Sequence, residues 1–584
     1  MSGLAGLFRV SGPPDRAPFL RMVRALDQRG PDARVEITFP DGALATTVRS
    51  PGEAGANPAW DPSGRWCVAT DGELLNARTL LAEFHAWGES PEAASSAGIV
   101  ACLFAARGLE AGLERLAGDV ALIAWDSHTR SLHVVRDRAG QRPLHWAALA
   151  DGTLLVASEP AALLAHGAVD GAPDVDAHRD GLALGAPLPP RTPWLGIRKL
   201  APGERLAWSG GAPEILRWWE ESANPPGADG ARYRWARSLR FSTELAIQQR
   251  VAVDAPIAVA LSGGLYAEAL LLGTAARRRG PVLAFTVGAD GPGDERGPAG
   301  EIAARCGAEH VALSIAAADV PALLAEIATL AEPLLTPEAL GFYVIARAAG
   351  DRGAEVLLTG VGGASLYGGA HIPLGDRAAS VPGVGLLGRV ARAGAERFGG
   401  EPASHRQLRR RPEIDPGTTR WAAVDALAAQ APEGDPTGRA LWLDRRLDAE
   451  RGLAVLDRVT AAHGIRAQSP YADAQLVKLV GSMPVGHLVQ VRRPRGLFVE
   501  GLAERLAGPA PSHRRMTLPI EAWLADGSLL AGAQEMVADL LLAEDVRRIL
   551  GPRQPARQQW ALVALAAWRR AHPEAPRPDG AHRA

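Results

Sequence analysis

The spacing of apolar residues changes near residue 213, and this change most constrains how the chain can fold. Residues 1–213 contain short apolar runs, such as RWCVAT, ALIAWD and TLLVAS, separated by turn-rich pieces. This spacing is typical of short strands joined by tight turns, with a few helices between them. The first half is therefore predicted to be a layered α+β sandwich domain rich in antiparallel sheet.

The second half has a different rhythm. Residues 214–232 include the Pro- and Gly-rich run ESANPPGADGAR and are predicted to be a linker. From residue 233 to residue 584, short apolar strands such as IAVAL and EVLL alternate with helical segments. This alternation predicts an α/β domain with a parallel sheet covered on both faces, ending in a helical part.

Composition excludes several classes of protein. The 584 residues carry a net charge of −2, which favours neither nucleic acid nor an anionic membrane as a partner. Three cysteines are too few for a disulfide framework, and no His, Cys or Asp spacing predicts a metal site. No apolar run reaches the ~20 residues that a bilayer span needs. Since the N-terminal sequence also lacks the pattern of a signal peptide, we expect a cytoplasmic protein.

Two glycine-rich turns each follow a predicted strand. Ser262-Gly263-Gly264 comes after IAVAL, and Gly360-Val361-Gly362-Gly363 comes after EVLL. Such a turn can need glycine for conformational reasons alone, but it also exposes backbone N–H groups that hold phosphate. Because loops at the carboxyl ends of parallel strands share one crevice, two of them predict a nucleotide site. The predicted nucleotide-binding residues are Ser262, Gly263, Gly264, Thr286, Val287, Gly360, Gly362 and Gly363.

A series of motifs in order along nearly the whole chain resembles the asparagine synthetase superfamily, including its lasso-peptide cyclases and β-lactam synthetases. The matching segments are RGPD at 29–32, DGELLN at 71–76, RDRAGQRPL at 136–144, ASE at 157–159, LSGGLYAEAL at 261–270, VLLTGVGGASLYGG at 356–369 and SPYAD at 469–473. The resemblance implies a glutaminase-like domain of the N-terminal nucleophile type at 1–213, joined to an ATP-pyrophosphatase domain at 233–584. It also implies ATP and Mg²⁺ as cofactors, and an acyl-adenylate that an amine attacks.

The first half departs from the glutamine-using members of this superfamily. Their nucleophilic cysteine follows the initiator Met, where this chain has Ser2. The acidic residue that would bind the glutamine amine is replaced by Ser96 or Ala97. We therefore expect no glutaminase activity.

The second half departs from the superfamily at its acidic positions. The aspartate of SGGxDS is replaced by Tyr266, and the acidic positions of GDGGDE become Val361, Ala364 and Ser365. Thr336 stands at the acidic position of EPxxDP, and Arg466 lies in the segment that corresponds to LExRxP. Mg²⁺ in such sites is held by one or two carboxylates plus substrate phosphates. These replacements therefore predict that the Mg²⁺ ligands are lost and that no metal is bound.

Few residues could compensate for these replacements. Arg514 or Arg515 matches a basic position before the last helices, and the guanidinium of Arg515 could neutralise phosphate charge. Glu268, in the first turn of a predicted helix, and Asp294 and Glu295 are carboxylates that could take over metal binding, although their ordinary interpretation is solvated surface charge.

Two hypotheses of different class follow, with a third behind them. The chain could be an ATP-dependent carbon–nitrogen ligase similar to a lasso-peptide macrolactam cyclase, with a precursor peptide as substrate and a leader-binding protein with its peptidase as partners. Alternatively, it could be a degenerate pseudo-synthetase that serves as a peptide-binding or partner-binding scaffold. A glutamine-dependent asparagine synthetase is the third hypothesis.

Overall fold

The computed structural model describes residues 2–49, 57–87, 95–225, 231–252, 255–291, 293–368, 421–489, 496–502, 516–551 and 554–573. Arg515 and the Gly-rich segment 373–400 lie outside these residues. No helix in the described part of the chain is long and apolar enough to cross a membrane.

Two six-stranded antiparallel sheets form the first domain. Their strands are β1 (Ser2–Phe8), β2 (Ala33–Phe39), β3 (Gly42–Val48), β4 (Ala59–Trp60), β5 (Trp66–Leu74), β6 (Gly118–Asp126), β7 (Ser131–Val135), β8 (His145–Ala148), β9 (Leu154–Ala157), β10 (Arg198–Lys199), β11 (Glu204–Trp208) and β12 (Glu214–Arg217). The strand orders are β10-β8-β9-β1-β3-β2 and β12-β11-β7-β6-β5-β4. Residues 214–217, predicted as the start of the linker, instead pair with β11 at the edge of the second sheet.

Among the described residues, six helices surround these sheets in the first domain, and the remaining helices belong to the second domain. The first six are α1 (Arg16–Arg24), α2 (Ala77–Ala86), α3 (Ser96–Arg107), α4 (Leu109–Arg115), α5 (Pro160–Ala165) and α6 (Val175–Leu184). Those that follow are α7 (Arg232–Val251), α8 (Leu265–Ala275), α9 (Arg296–Arg305), α10 (Val320–Ala328), α11 (Glu338–Gly350), α12 (Gly363–Leu366), α13 (Trp421–Ala428), α14 (Pro436–Asp448), α15 (Ala454–Ala461), α16 (Ala474–Ser482), α17 (Val485–Leu488), α18 (Gly496–Leu502), α19 (Ile520–Leu524), α20 (Ala533–Met536), α21 (Ala543–Ile549) and α22 (Ala556–Ala571). A π-helical turn (Ala449–Leu453) joins α14 to α15.

The alternation of side chains along β1 explains the layers of the first domain. Successive residues of a strand point to opposite faces. Leu4 and Phe8 therefore enter the core between the two sheets, whereas Ala5 and Leu7 pack against the helices outside the first sheet. Both faces of β1 are buried, and its sequence is accordingly an almost continuous run of apolar residues.

A five-stranded parallel sheet forms the centre of the second domain. Its strands are β13 (Ile257–Ala260), β14 (Leu283–Gly288), β15 (Glu309–Ser314), β16 (Val356–Leu358) and β17 (Arg466–Gln468), in the order β15-β14-β13-β16-β17. Helices α7, α8 and α9 cover one face, and α10, α11 and α22 cover the other. The predicted fold class, an α+β sandwich followed by an α/β domain with a parallel sheet, is confirmed.

Buried ion pairs join the two domains. Arg250 of α7 donates to Asp119 of β6 at 2.8 Å, and Glu450 of the π-helical turn accepts from Arg136 and from Lys199, both at 2.6 Å. All these side chains are buried. Because buried charges are costly unless they are paired, these contacts fix the position of one domain on the other.

Candidate functional site

The first glycine-rich turn leads from β13 into α8. Gly264 is the residue before the helix, with φ −99° and ψ 155°. The N–H groups of the first helical turn have no acceptor within the helix, so they are available to an anion. The turn is anchored on the sheet because Leu261 N–H donates to Phe285 O at 2.8 Å and Thr286 Oγ1 donates to Leu261 O at 2.7 Å.

The second glycine-rich turn lies beside the first, after β16. Gly362 has φ +85°, a left-handed conformation that favours glycine. A Cβ added at Gly363 would lie 2.8 Å from the Tyr266 ring. Glycine at 363 therefore allows the two turns to approach closely around that ring.

A cavity of about 250 Å³ opens between these turns at the carboxyl ends of β13, β14 and β16. Six of the eight predicted nucleotide-binding residues line it: Ser262, Gly264, Thr286, Val287, Gly360 and Gly362. Gly263 and Gly363 are buried but do not line it, so their role is to shape the turns. The position of this cavity is the usual ligand crevice of an open parallel sheet.

The positions that lack the superfamily's acidic residues lie in three different places. Tyr266, Thr336, Val361 and Ala364 line the cavity. Ser365 instead lines a smaller neighbouring cavity. Arg466 lies on β17, where it pairs with Glu73 of the first domain at 2.9 Å.

Tyr266 belongs to a cluster of four aromatic rings. Its ring centroid lies 5.8 Å from Tyr367, 5.5 Å from Tyr471 and 5.1 Å from Phe498. The Tyr471 hydroxyl donates to Tyr266 O at 2.7 Å, and the Tyr367 hydroxyl is 3.0 Å from Thr243 Oγ1. Burial raises the pKa of both Tyr367 and Tyr471, so these hydroxyls stay neutral. The ring of Tyr266 thus stabilises the core at this position.

The structure corrects the prediction that Glu268 could hold a metal. Glu268 does not line the cavity. Its side chain is buried, and one carboxylate oxygen pairs with Arg305 at 2.9 Å. Asp294 is likewise bound to Arg296, whereas Glu295 lines the cavity and is buried.

Two further carboxylates of the cavity were missed by sequence reasoning. Glu338 begins α11 and pairs with Arg557 at 2.7 Å. Asp448 ends α14 and pairs with Arg451 of the π-helical turn. All four residues line the cavity. Neither pair lies in a motif, and only the fold brings them to the glycine-rich turns.

A second group of functional positions surrounds Ser2 in the first domain. Ser2 N–H donates to Asp71 Oδ1 at 3.2 Å, and Arg29 Nε donates to Ser2 O at 3.1 Å. Arg29 also pairs with Asp71, Glu159 and Asp457 at 2.9, 3.1 and 2.8 Å. Three sequence motifs therefore meet here, and Asp457 joins them from the second domain.

Electrostatics explains why Arg29 tolerates complete burial. Burial alone would lower the pKa of its guanidinium, but the carboxylates of Asp457, Asp71 and Glu159 outweigh that effect and raise the pKa well above its ordinary value. Ser2 is itself buried. Ser96 and Ala97, the predicted replacements of the amine-binding acid, begin α3, and Ala97 is buried.

Comparison with known proteins agrees with this architecture. A glutamine amidotransferase domain model matches residues 1–219, and an asparagine synthase model matches residues 238–570, more than half of the chain. The chain belongs to the asparagine synthase family. This family comprises ATP-dependent amidotransferases, so the asparagine synthetase resemblance of the motifs is confirmed.

Three relatives illustrate the family. A Mycobacterium tuberculosis protein, provisionally named asparagine synthetase [glutamine-hydrolyzing], is 26% identical over 551 residues, covering 86% of this chain and 80% of the relative. Asparagine synthetase [glutamine-hydrolyzing] 1 of Bacillus subtilis is 22% identical and covers 64% of this chain and 59% of its own length. Amidase chyE of Penicillium rubens is 28% identical over 41% of this chain and 35% of its own length.

The resemblance implied ATP and Mg²⁺ as cofactors, and the cavity of this asparagine synthase family member fits ATP. The two glycine-rich turns present backbone N–H groups that suit the phosphates of ATP. The superfamily's metal-binding positions do not fit a divalent metal, because Tyr266, Thr336 and Ala364 offer no carboxylate. The carboxylates that do line the cavity come from other positions, and two of them, Glu338 and Asp448, are paired with arginines. Among the described residues, no group of three or more His, Cys, Asp or Glu side chains is placed to hold a metal.

Proposed function

We propose that this member of the asparagine synthase family is a degenerate synthetase that binds an adenine nucleotide without a divalent metal. On this proposal the chain hydrolyses no glutamine and forms no acyl-adenylate at a useful rate. It acts instead as a ligand-binding scaffold for a peptide or a partner protein.

The observation that carries the proposal is the packing of Tyr266. If a small residue had replaced the metal-binding aspartate, a neighbouring carboxylate could shift slightly and bind the metal in its place. Here the aromatic side chain fills the position and contacts Tyr367, Tyr471 and Phe498. Metal stabilisation of a reacting phosphate contributes several kcal/mol. Since ~1.4 kcal/mol is a factor of ten in rate, losing it slows adenylation by roughly a thousandfold.

The absence of ammonia transfer is supported separately by the first domain. In the glutamine-using members that the motifs resemble, a cysteine thiolate attacks glutamine. Ser2 offers a hydroxyl in its place, and a hydroxyl needs stronger activation to act as a nucleophile. Its backbone N–H and C=O are both engaged by the buried Asp71–Arg29 pair. We therefore propose that the first domain serves to support the second one.

A second candidate function is macrolactam formation on a precursor peptide, with a leader-binding protein and its peptidase as partners. Three carboxylates in the cavity, Glu295, Glu338 and Asp448, favour this candidate because any of them could approach a metal if its present contacts changed. In that reaction the amine comes from the substrate, so the state of Ser2 would be immaterial.

The experiment that separates these functions measures pyrophosphate release from ATP and Mg²⁺ in the presence of candidate precursor peptides. The scaffold proposal predicts no release above that of a heat-inactivated sample, and no ammonia from glutamine. Peptide-dependent pyrophosphate release would refute it and support the cyclase. Ammonia released from glutamine by the wild type and lost in Ser2→Ala would show that the first domain is active.

A further inference from the structure

A small cavity of about 40 Å³ lies between the two domains, next to the nucleotide cavity. Arg445 and Arg446 of α14 line it from the second domain, and Arg138 lines it from the first. Glu221, which follows β12, is also part of its wall. The two cavities share Gly362 and Asp448 but are otherwise lined by different residues.

The arginines of this cavity have buried N–H groups without acceptors. Arg445 and Arg446 are 8% and 7% exposed. In the described part of the chain, no hydrogen-bond acceptor reaches Nη1 or Nη2 of Arg445, or Nε or Nη2 of Arg446. Buried donors of this kind are rare, because leaving one unsatisfied costs about 1–3 kcal/mol and more for a charged group.

Most hydrogen-bond acceptors of these arginines in the described part of the chain are neutral backbone carbonyls. The one carboxylate among the acceptors in the described residues is that of Glu221, which accepts from Nε of Arg445. Arg446 Nη1 donates to the neutral carbonyl of Pro202 at 2.6 Å, and Arg138 likewise donates to backbone carbonyls, among them Leu113 O at 2.9 Å. Asp448, at the edge of the cavity, is paired with Arg451.

The electrostatic consequence is visible at Arg446. Burial lowers its pKa to about 10, and the attraction of Glu221 does not offset that effect. Burial similarly lowers the pKa of Arg138. A buried cation whose environment disfavours its charge is stabilised when an anion enters beside it.

We propose that this cavity is an oxyanion site in which Arg445 and Arg446 bind a carboxylate or phosphate group. Guanidinium groups bind both kinds of oxyanion through paired N–H···O bonds, and the unsatisfied N–H groups are the donors such bonds need. At roughly 10–15 Å³ for each water-sized occupant, the cavity accepts a small group of about three such atoms. The site does not depend on nucleotide binding, since the glycine-rich turns contribute only Gly362 to it.

The test is calorimetric titration of the full chain with inorganic phosphate and, separately, with acetate, in a buffer without other oxyanions. Arg445→Met and Arg446→Met should each weaken binding at least tenfold. The control is Arg439→Met on the same helix, where the side chain is exposed, and it should bind like the wild type. Binding of both anions identifies a general oxyanion site, and binding of phosphate alone assigns the natural ligand to phosphate compounds.

Two results would overturn the proposal. One is the absence of binding of either anion at millimolar concentration. The other is binding that survives in both Arg445→Met and Arg446→Met, since that anion would sit elsewhere, for example at the glycine-rich turns. Arg446 donates to a backbone carbonyl and not to a carboxylate, so Arg446→Met should unfold in anion-free urea at no lower a midpoint than the wild type, which keeps misfolding from imitating lost binding. Arg445→Met leaves the buried Glu221 carboxylate without this partner, so its anion binding is measured in the double variant Arg445→Met/Glu221→Gln as well.

Discussion

Replacing Asp457 with asparagine removes the carboxylate that two fully buried arginines share across the domain interface. Asp457 accepts from Arg29 at 2.8 and 3.3 Å and from Arg142 at 2.5 Å. Both arginines and Asp457 are buried. Asparagine retains the shape of the side chain, so the change isolates the loss of charge.

The expected cost follows from the burial of the whole group. Breaking a buried ion pair by removing one partner typically destabilises a protein by 3–5 kcal/mol. Arg29 retains Asp71 and Glu159, whereas Arg142 retains the backbone carbonyl of Ala467 at 3.0 Å. We therefore expect Asp457→Asn to lower the free energy of unfolding by about 3–5 kcal/mol, most of it from Arg142.

The pH dependence provides a second readout of the same variant. Burial acts to raise the pKa of Asp457, but Arg29 and Arg142 outweigh it, and the pKa lies below its ordinary value. A carboxyl with a lowered pKa in the folded state stabilises the protein above the unfolded pKa of about 4, and this contribution is lost as the pH falls further. The difference in the free energy of unfolding between the wild type and Asp457→Asn should therefore become smaller below about pH 4.

The assay is urea unfolding followed by tryptophan fluorescence, with Asp27→Asn as the control. Asp27 pairs with Arg34 at the surface, where their side chains are 36% and 51% exposed, so its loss should cost no more than about 1 kcal/mol. Equal effects of the two variants, or a cost of Asp457→Asn below about 1 kcal/mol, would refute the view that the buried network holds the domains together.

Three further predictions use the same assay. Tyr266→Ala should lower the free energy of unfolding by about 3–5 kcal/mol, because it leaves a cavity in the aromatic cluster. Tyr266→Phe keeps the ring and should lower it by about 1 kcal/mol. Equal decreases in the two variants would contradict the packing role of the ring. Glu450→Gln should cost about 3–5 kcal/mol, because Arg136 and Lys199 lose their shared buried carboxylate. Burial lowers the pKa of His178 to about 4 in the folded state. Protonation of this histidine in the unfolded state should therefore lower the free energy of unfolding by about 2 kcal/mol between pH 7 and pH 5. His178→Phe should lack that part of the decrease.

The sequence predicted the fold because its periodicities are local. Strand-and-turn spacing up to residue 213 and strand–helix alternation after 233 specify which elements form, and the apolar runs specify which of them are buried. The boundary of the sandwich was wrong by one strand. Residues 214–217 (EILR) show no alternation of polar and apolar residues and lie at a partly exposed sheet edge, so hydrophobicity alone did not distinguish this strand from a linker.

The candidate site was predicted only in part. The glycine-rich turns could be identified because a turn with a left-handed backbone conformation favours glycine, as at Gly362, and the glycine is visible in the sequence. Glu338, Asp448 and Asp457 could not, since an acid in a helix has the same local pattern whether it faces solvent, a cavity or a distant arginine. Glu268 shows the converse, because its position near the first turn suggested a ligand while α9 supplies Arg305 as its partner.

On the proposed function, the cavity binds an adenine nucleotide without help from a divalent metal. Calorimetric titration of the purified chain with ATP, once with Mg²⁺ and once with excess chelator, tests it directly. We expect binding in both conditions, with dissociation constants that agree within about threefold, a difference below about 1 kcal/mol. Binding that requires Mg²⁺, or that tightens tenfold or more with it, would contradict the account, and so would the absence of binding in both.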